Sequence, residues 1–142
     1  MADLERAIAL AVEAHRGQQD KVGQPYILHP LRVMFRCETE IERMVAVLHD
    51  VVEDTSVTME DLRAAGFGDE VLVPLDCVTQ RKGESYEQFI ARAGSHPVAR
   101  KVKIADIEDN MDIRRLPAIT PKDAARLERY IQHYHQLKAM EK

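Results

Sequence analysis

The chain has 142 residues, 45% of them hydrophobic, which suffices for one domain around one core. No apolar run is long enough to cross a bilayer, and the charged opening Met1-Ala2-Asp3-Leu4-Glu5-Arg6 lacks the basic-then-apolar plan of a signal peptide. A formal charge of −4, 5% aromatic residues, no Trp and no basic block argue against a nucleic-acid groove, which needs clustered Lys and Arg and rings to stack on. The two cysteines, Cys37 and Cys77, have no CxxC spacing and read as thiols of a reducing compartment, so the cytoplasm is the expected location.

The pattern is helical almost throughout. Leu4, Ile8, Ala11, Val12 and His15 share one face of a helix over about 3–16. Gly17 to Leu28 has no period and carries Gly17, Gly23 and Pro25, so it reads as a loop. His29-Pro30 opens a second helix, with the proline in the first turn where its missing N–H costs little. Thr39-Glu40-Ile41-Glu42 is a capping box, and the helix it starts is expected to run on through His49-Asp50 to Glu53. Thr58 begins a short helix that Gly66 ends; Asp69 to Thr79 is expected to be helical with an irregularity or kink at Pro74. Ser85 caps a helix to Gly94, Pro97 starts one through Met111, and Thr120-Pro121 opens the last, with Leu127, Tyr130, Ile131 and Tyr134 as its core-facing stripe. No alternating run of strand length and no repeat occurs. The expectation is a single all-α domain over 1–142, a bundle of roughly seven to eight helices.

Four segments carry chemistry: His29, the doublet His49-Asp50, Glu53-Asp54 one turn beyond it, and Asp106. On a helix of 3.6 residues per turn, an acid at i+4 lies on the same face as its partner. Two imidazoles and two carboxylates, His29, His49, Asp50 and Asp106, form a mixed nitrogen and oxygen set that suits an octahedral divalent ion such as Mn²⁺; Fe²⁺, Co²⁺ or Ni²⁺ also fit. Structural zinc would recruit cysteine, and neither cysteine stands at a useful spacing. The bland alternative is a buried histidine paired with a carboxylate, a common core feature. Around the set, Asn110 and Lys103 flank Asp106 on its helix, while Lys21 and Tyr26 lie in the polar loop ahead of His29, where substrate contacts tend to sit. His15 reads as a core or surface residue, able to bond that loop rather than a metal, and His133 and His135, at i+2, point apart and are no ligand pair.

Three stretches then resemble one known family. His15 through Leu31, reading His-x-Gly-Gln-x-x-Lys-x-Gly-x-Pro-Tyr-Ile-x-His-Pro-Leu, is similar to the first signature of RelA/SpoT-type alarmone hydrolases. Leu48-His49-Asp50-Val51-Val52-Glu53-Asp54-Thr55 resembles the second, and Lys103-Ile104-Ala105-Asp106 with Asn110-Met111 the third. The motifs stand in family order over most of the chain, to about Leu116. The resemblance implies an all-helical HD-domain metal-dependent phosphohydrolase that binds Mn²⁺ and removes the 3′-pyrophosphate of guanosine tetra- or pentaphosphate, releasing pyrophosphate and GDP or GTP. Carried over by motif position, His29, His49, Asp50 and Asp106 are the metal ligands, and Glu53 and Asp54 the catalytic acids. Glu53 would act on the water, and Asp54 would orient it or support the ligands from behind. Lys21, Tyr26, Lys103 and Asn110 are the expected substrate contacts.

Two positions depart from the pattern. The family usually has Arg-Lys in the first loop, its arginine packing on the guanine, where this chain has Asp20-Lys21; an aspartate offers no cation–π face and opposes phosphate. A basic residue often follows the third-signature aspartate, and here Ile107 does. The length leaves no room for the synthetase domain of the bifunctional enzymes, so hydrolysis alone is expected. Two further readings share these residues: the same metal chemistry on another nucleotide or phosphoester, and a non-catalytic module that binds or senses a nucleotide. The oligomeric state is not encoded in any motif.

Overall fold

The structure, a computed structural model, describes residues 2–141. Among these residues there are nine α-helical segments and one 3-10 turn, with no strand beyond an isolated bridge between Gln19 and Pro25. The helices are α1 (Leu4–Ala14), α2 (Leu28–Phe35), α3 (Glu40–Leu48), α4 (Val51–Asp54), α5 (Met59–Ala64), α6 (Asp69–Cys77), α7 (Tyr86–Gly94), α8 (Pro97–Asn110) and α9 (Pro121–Met140); the 3-10 turn Ile113–Arg115 follows α8. None is long and apolar enough to cross a membrane.

The helix starts follow local chemistry. Thr39, Thr58, Ser85 and Thr120 each accept the N–H of the third helical residue, and the side chains of Glu42, Asp61, Gln88 and Asp123 return the bond, so all four starts are capping boxes. Met44 to Leu48 are all buried, which makes α3 the central helix, packed by α1, α2, α6 and α8. On α1 the fully buried residues are Ala7 and Ala11, small enough to let it lie close on α3, while Val12 turns outward at 41% exposure. A second, smaller apolar cluster of Ile90, Ile104, Ile107 and Leu137 joins α7, α8 and α9.

Two expectations change. The helix expected to run through His49-Asp50 ends at Leu48 and restarts at Val51, so the His49-Asp50 doublet is the joint between α3 and α4. Counting the joint as one interrupted helix gives eight. Helix α6 is helical as expected, with Pro74 inside it, and ends at Cys77. On α9, Ile131 is 45% exposed and the buried positions are His133 and Leu137, because one residue turns the helix by about 100° and carries Ile131 off the stripe begun by Tyr130.

Candidate metal centre

Helix α2 supplies His29, the α3–α4 joint supplies His49 and Asp50, and α8 supplies Asp106. His29 Nε2 lies 2.9 Å from Asp106 Oδ1 and 3.8 Å from Asp50 Oδ2. His49 Nε2 lies 3.1 Å from Asp50 Oδ2 and 3.3 Å from Asp106 Oδ1. Donor atoms of His29, His49 and Asp50 all fall within 4.8 Å of one another. Three segments far apart in sequence thus aim two ring nitrogens and two carboxylate oxygens at one point.

The far side of each imidazole is fixed. His49 Nδ1 donates to the carbonyl oxygen of Ala46 at 2.6 Å, and His29 Nδ1 donates to Asp109 Oδ2 at 2.7 Å. Those neighbours assign the Nδ1–H form to both rings and leave each Nε2 facing the carboxylates. The buried Nε2 of His49 has no hydrogen-bond partner. An orphaned ring nitrogen opposite two carboxylate oxygens is unfavourable unless positive charge lies between them.

The electrostatics agree. Burial opposes charge on the imidazoles, yet Asp50 and Asp106 raise His49 well above its ordinary pKa, and Asp106 and Asp109 raise His29. Burial likewise opposes ionisation of Asp106, but Lys103 and then His49 hold it well below the carboxylate range; His49 does the same for Asp50. Positive charge is favoured at this point, and the mixed nitrogen and oxygen donor set fits a divalent ion.

Above this point opens a cleft of about 480 Å³, within the range of small-molecule sites. Glu53 and Asp54 line it. Glu53 Oε1 accepts the backbone N–H of Gln80 at 2.6 Å, which ties α4 to the segment after α6. Burial, and then the charge of Asp50, pushes the Asp54 carboxyl up; Glu53 is also raised, by burial before anything else.

The expected substrate contacts divide. Lys21 is exposed on the cleft wall, and partial burial and then Arg126 hold its ammonium below the usual value. Tyr26 reaches the cleft, but its hydroxyl donates to Asp50 Oδ2 at 2.6 Å, so it also braces that carboxylate. Asn110 lines the cleft and donates to Asp106 Oδ1 at 3.2 Å. Lys103 differs from the expected phosphate contact: it is buried behind Asp106, bonded to Oδ2 at 2.9 Å, with its ammonium 4.9 Å from the Phe89 ring centroid. His15 bonds the loop through Gln18, whose amide reaches the Asp54 carbonyl oxygen.

The two departures from the family pattern have structural places. Asp20 accepts the N–H groups of Val22 and Gln24 at 3.0 and 2.9 Å, so its carboxylate shapes the loop. Ile107 is fully buried in the α7–α8–α9 core and faces away from the cleft. Residues not read as site residues in the sequence, among them Tyr130 of the expected core stripe, stand beside these groups. Asp109 is fully buried behind His29; Arg32, Arg115, Arg126 and Tyr130 stand on the cleft wall. A signal existed for two of them: Asp109 follows Asp106, and Arg32 follows His29, by three residues on a helix.

An all-α bundle that converges a histidine, a His-Asp doublet and a distant aspartate defines an HD-type domain. No family model matches the chain. It is 35% identical over 128 residues to a GTP pyrophosphokinase of Streptomyces coelicolor, covering 81% of this chain and 15% of that protein. It is 31% identical over 141 residues to a guanosine-3′,5′-bis(diphosphate) 3′-pyrophosphohydrolase of Vibrio cholerae, covering 89% and 20%. A solved metazoan orthologue of SpoT, described as hydrolysing ppGpp, superposes with a TM-score of 0.79 at 25% identity over 96% of this chain and 85% of that one. The chain belongs to the RelA/SpoT family. It spans only 15 and 20% of the length of the two curated relatives named above.

Proposed function

We propose that this domain is a Mn²⁺-dependent phosphohydrolase that removes the 3′-pyrophosphate of guanosine tetra- or pentaphosphate, yielding pyrophosphate and GDP or GTP in the cytoplasm. The observation that carries the reading is the orphaned His49 Nε2 set against Asp50 and Asp106, with Glu53 and Asp54 on the cleft wall beside them. His29, His49, Asp50 and Asp106 would hold the ion. When bound there, a dication supplies Lewis-acid charge that lowers the pKa of water and offsets phosphoryl charge.

The protein's own groups do the rest. Glu53 keeps one oxygen on the Gln80 N–H, which leaves the other to take a proton from the attacking water. Asp54, its carboxyl pushed up by burial, orients that water. Tyr26 holds Asp50, and Asn110 and Lys103 hold Asp106, so the carboxylates are braced before substrate arrives. Lys21 and Asn110 meet the phosphates and sugar.

A second reading keeps this chemistry on a different phosphorylated nucleotide. It is favoured by Asp20, whose carboxylate is committed to the loop where the family has a base-stacking arginine. A panel of phosphorylated nucleotides, incubated with Mn²⁺ and analysed by anion-exchange chromatography, separates the two. Cleavage confined to guanosine 3′-diphosphates supports the first; preferential cleavage of another nucleotide supports the second.

A further inference from the structure

Resting on the reading of the cleft as a site for a phosphorylated ligand, we propose that Arg32 and Arg115, seated together on Asp109, form an anion subsite that binds a phosphate group of the ligand apart from the acids of the metal centre. One buried carboxylate here faces far more positive charge than it can balance. Asp109 receives Arg32 Nε at 2.9 and 3.1 Å; Arg115 Nη1 stands 3.5 Å away and Arg36 Nη2 3.8 Å, and the His29 Nδ1–H bonds it at 2.7 Å. Three guanidiniums thus share a single negative charge. The nearest other carboxylate, Asp112, is taken up by Arg114 at 2.7 and 2.8 Å and lies 3.8 Å from Arg115.

Geometry directs the surplus into the cleft. Arg32 touches Asp109 through Nε, and among the described residues its two terminal nitrogens have no hydrogen-bond partner. Arg115 anchors Nη2 on the Asp109 carbonyl oxygen at 2.9 Å. Their side chains are 33% and 31% exposed, and both line the cleft beside His29 and Asn110, whereas Arg36 does not. A guanidinium held at one edge, with its other N–H groups open, is prepared to bind phosphate bidentately and loses little side-chain freedom in doing so. Two surface arginines merely in solvent would not need a shared buried carboxylate from another helix to hold them.

The test uses inorganic pyrophosphate as the probe and the intact chain stripped of metal with EDTA, titrated by calorimetry, so that the metal centre contributes nothing. Wild type should bind, and Arg32→Gln and Arg115→Gln should each weaken binding about tenfold or more. Arg32→Lys should recover part of the loss, since it restores charge without the fork. Arg63→Gln, at a remote surface pair with Asp69, should bind as wild type does. Should Arg32→Gln fail to fold, Arg115→Gln on the surface turn carries the test alone. Absence of pyrophosphate binding in EDTA overturns the inference. So does undiminished binding in the arginine variants, including the case where only Lys21→Gln or Arg126→Gln abolishes it. Failure of the phosphohydrolase reading looks different: no nucleotide turns over with metal present, while the arginine-dependent binding persists.

Discussion

Asp109 accepts the Nδ1–H of His29 at 2.7 Å, and the opposite nitrogen of the same ring lies 2.9 Å from Asp106. One fully buried carboxylate therefore sets the tautomer and the direction of a histidine proposed as a metal ligand. Removing the charge of such a partner typically lowers metal affinity about 10- to 100-fold. We expect that loss in Asp109→Asn, measured by Mn²⁺ titration of EDTA-stripped protein, with a cooperative melt showing that the variant is folded. Wild-type affinity in the variant would show that Asp109 only anchors arginines.

Glu53 separates metal binding from turnover. In Glu53→Gln the amide oxygen can still accept the Gln80 N–H, so the joint between α4 and the segment after α6 should survive. Metal content, measured by elemental analysis, should match wild type, while turnover falls about 10²- to 10⁴-fold, the usual contribution of a positioned general base. Loss of metal in this variant would instead place Glu53 among the ligands.

The pH dependence of stability follows from the two histidines. Their folded pKa values lie above the ordinary imidazole value because Asp50, Asp106 and Asp109 face them despite burial. A group whose pKa is raised on folding adds stability that is complete below its unfolded pKa and is lost as pH rises through its folded one. In EDTA the melting temperature should therefore fall as pH rises from about 6 to about 8, starting near the unfolded imidazole value. Added Mn²⁺ should abolish that fall, because the ion replaces the protons. Thermal melts across this range check it; a melting temperature that stays level in EDTA would contradict the electrostatics of the site.

The loop ahead of His29 gives a further prediction. Asp20 caps its turn through the N–H groups of Val22 and Gln24, and Lys21 stands beside it on the cleft wall. Asp20→Asn retains an acceptor and should change steady-state constants little. Asp20→Ala should raise KM several-fold through a loosened Lys21 while changing kcat less. Equal effects of the two substitutions would mean that the charge at Asp20, rather than its turn, governs binding.

Helix starts were legible along the chain because they are local, a capping box needing four residues; the proposed ligands could be named for a similar reason, since each motif that carries them is contiguous. What escaped depends on tertiary partners. The break at His49-Asp50 accompanies the bonding of the His49 ring to the Ala46 carbonyl oxygen, a contact that spacing alone does not announce. Lys103 read as a substrate contact, and it is buried because Asp106, Tyr86 and Phe89 together hold its charge. Asp109 was not singled out in the sequence, because only the packing of α2 against α8 brings it to His29 and Arg32.

The most direct measurement is product formation from guanosine 3′,5′-bis(diphosphate) by purified protein with Mn²⁺, alongside EDTA and His49→Ala controls. The account predicts GDP and pyrophosphate in equal amounts with Mn²⁺, and neither product in EDTA or from the variant. Turnover that persists in His49→Ala, or the absence of products from wild type shown to contain bound metal, would contradict it.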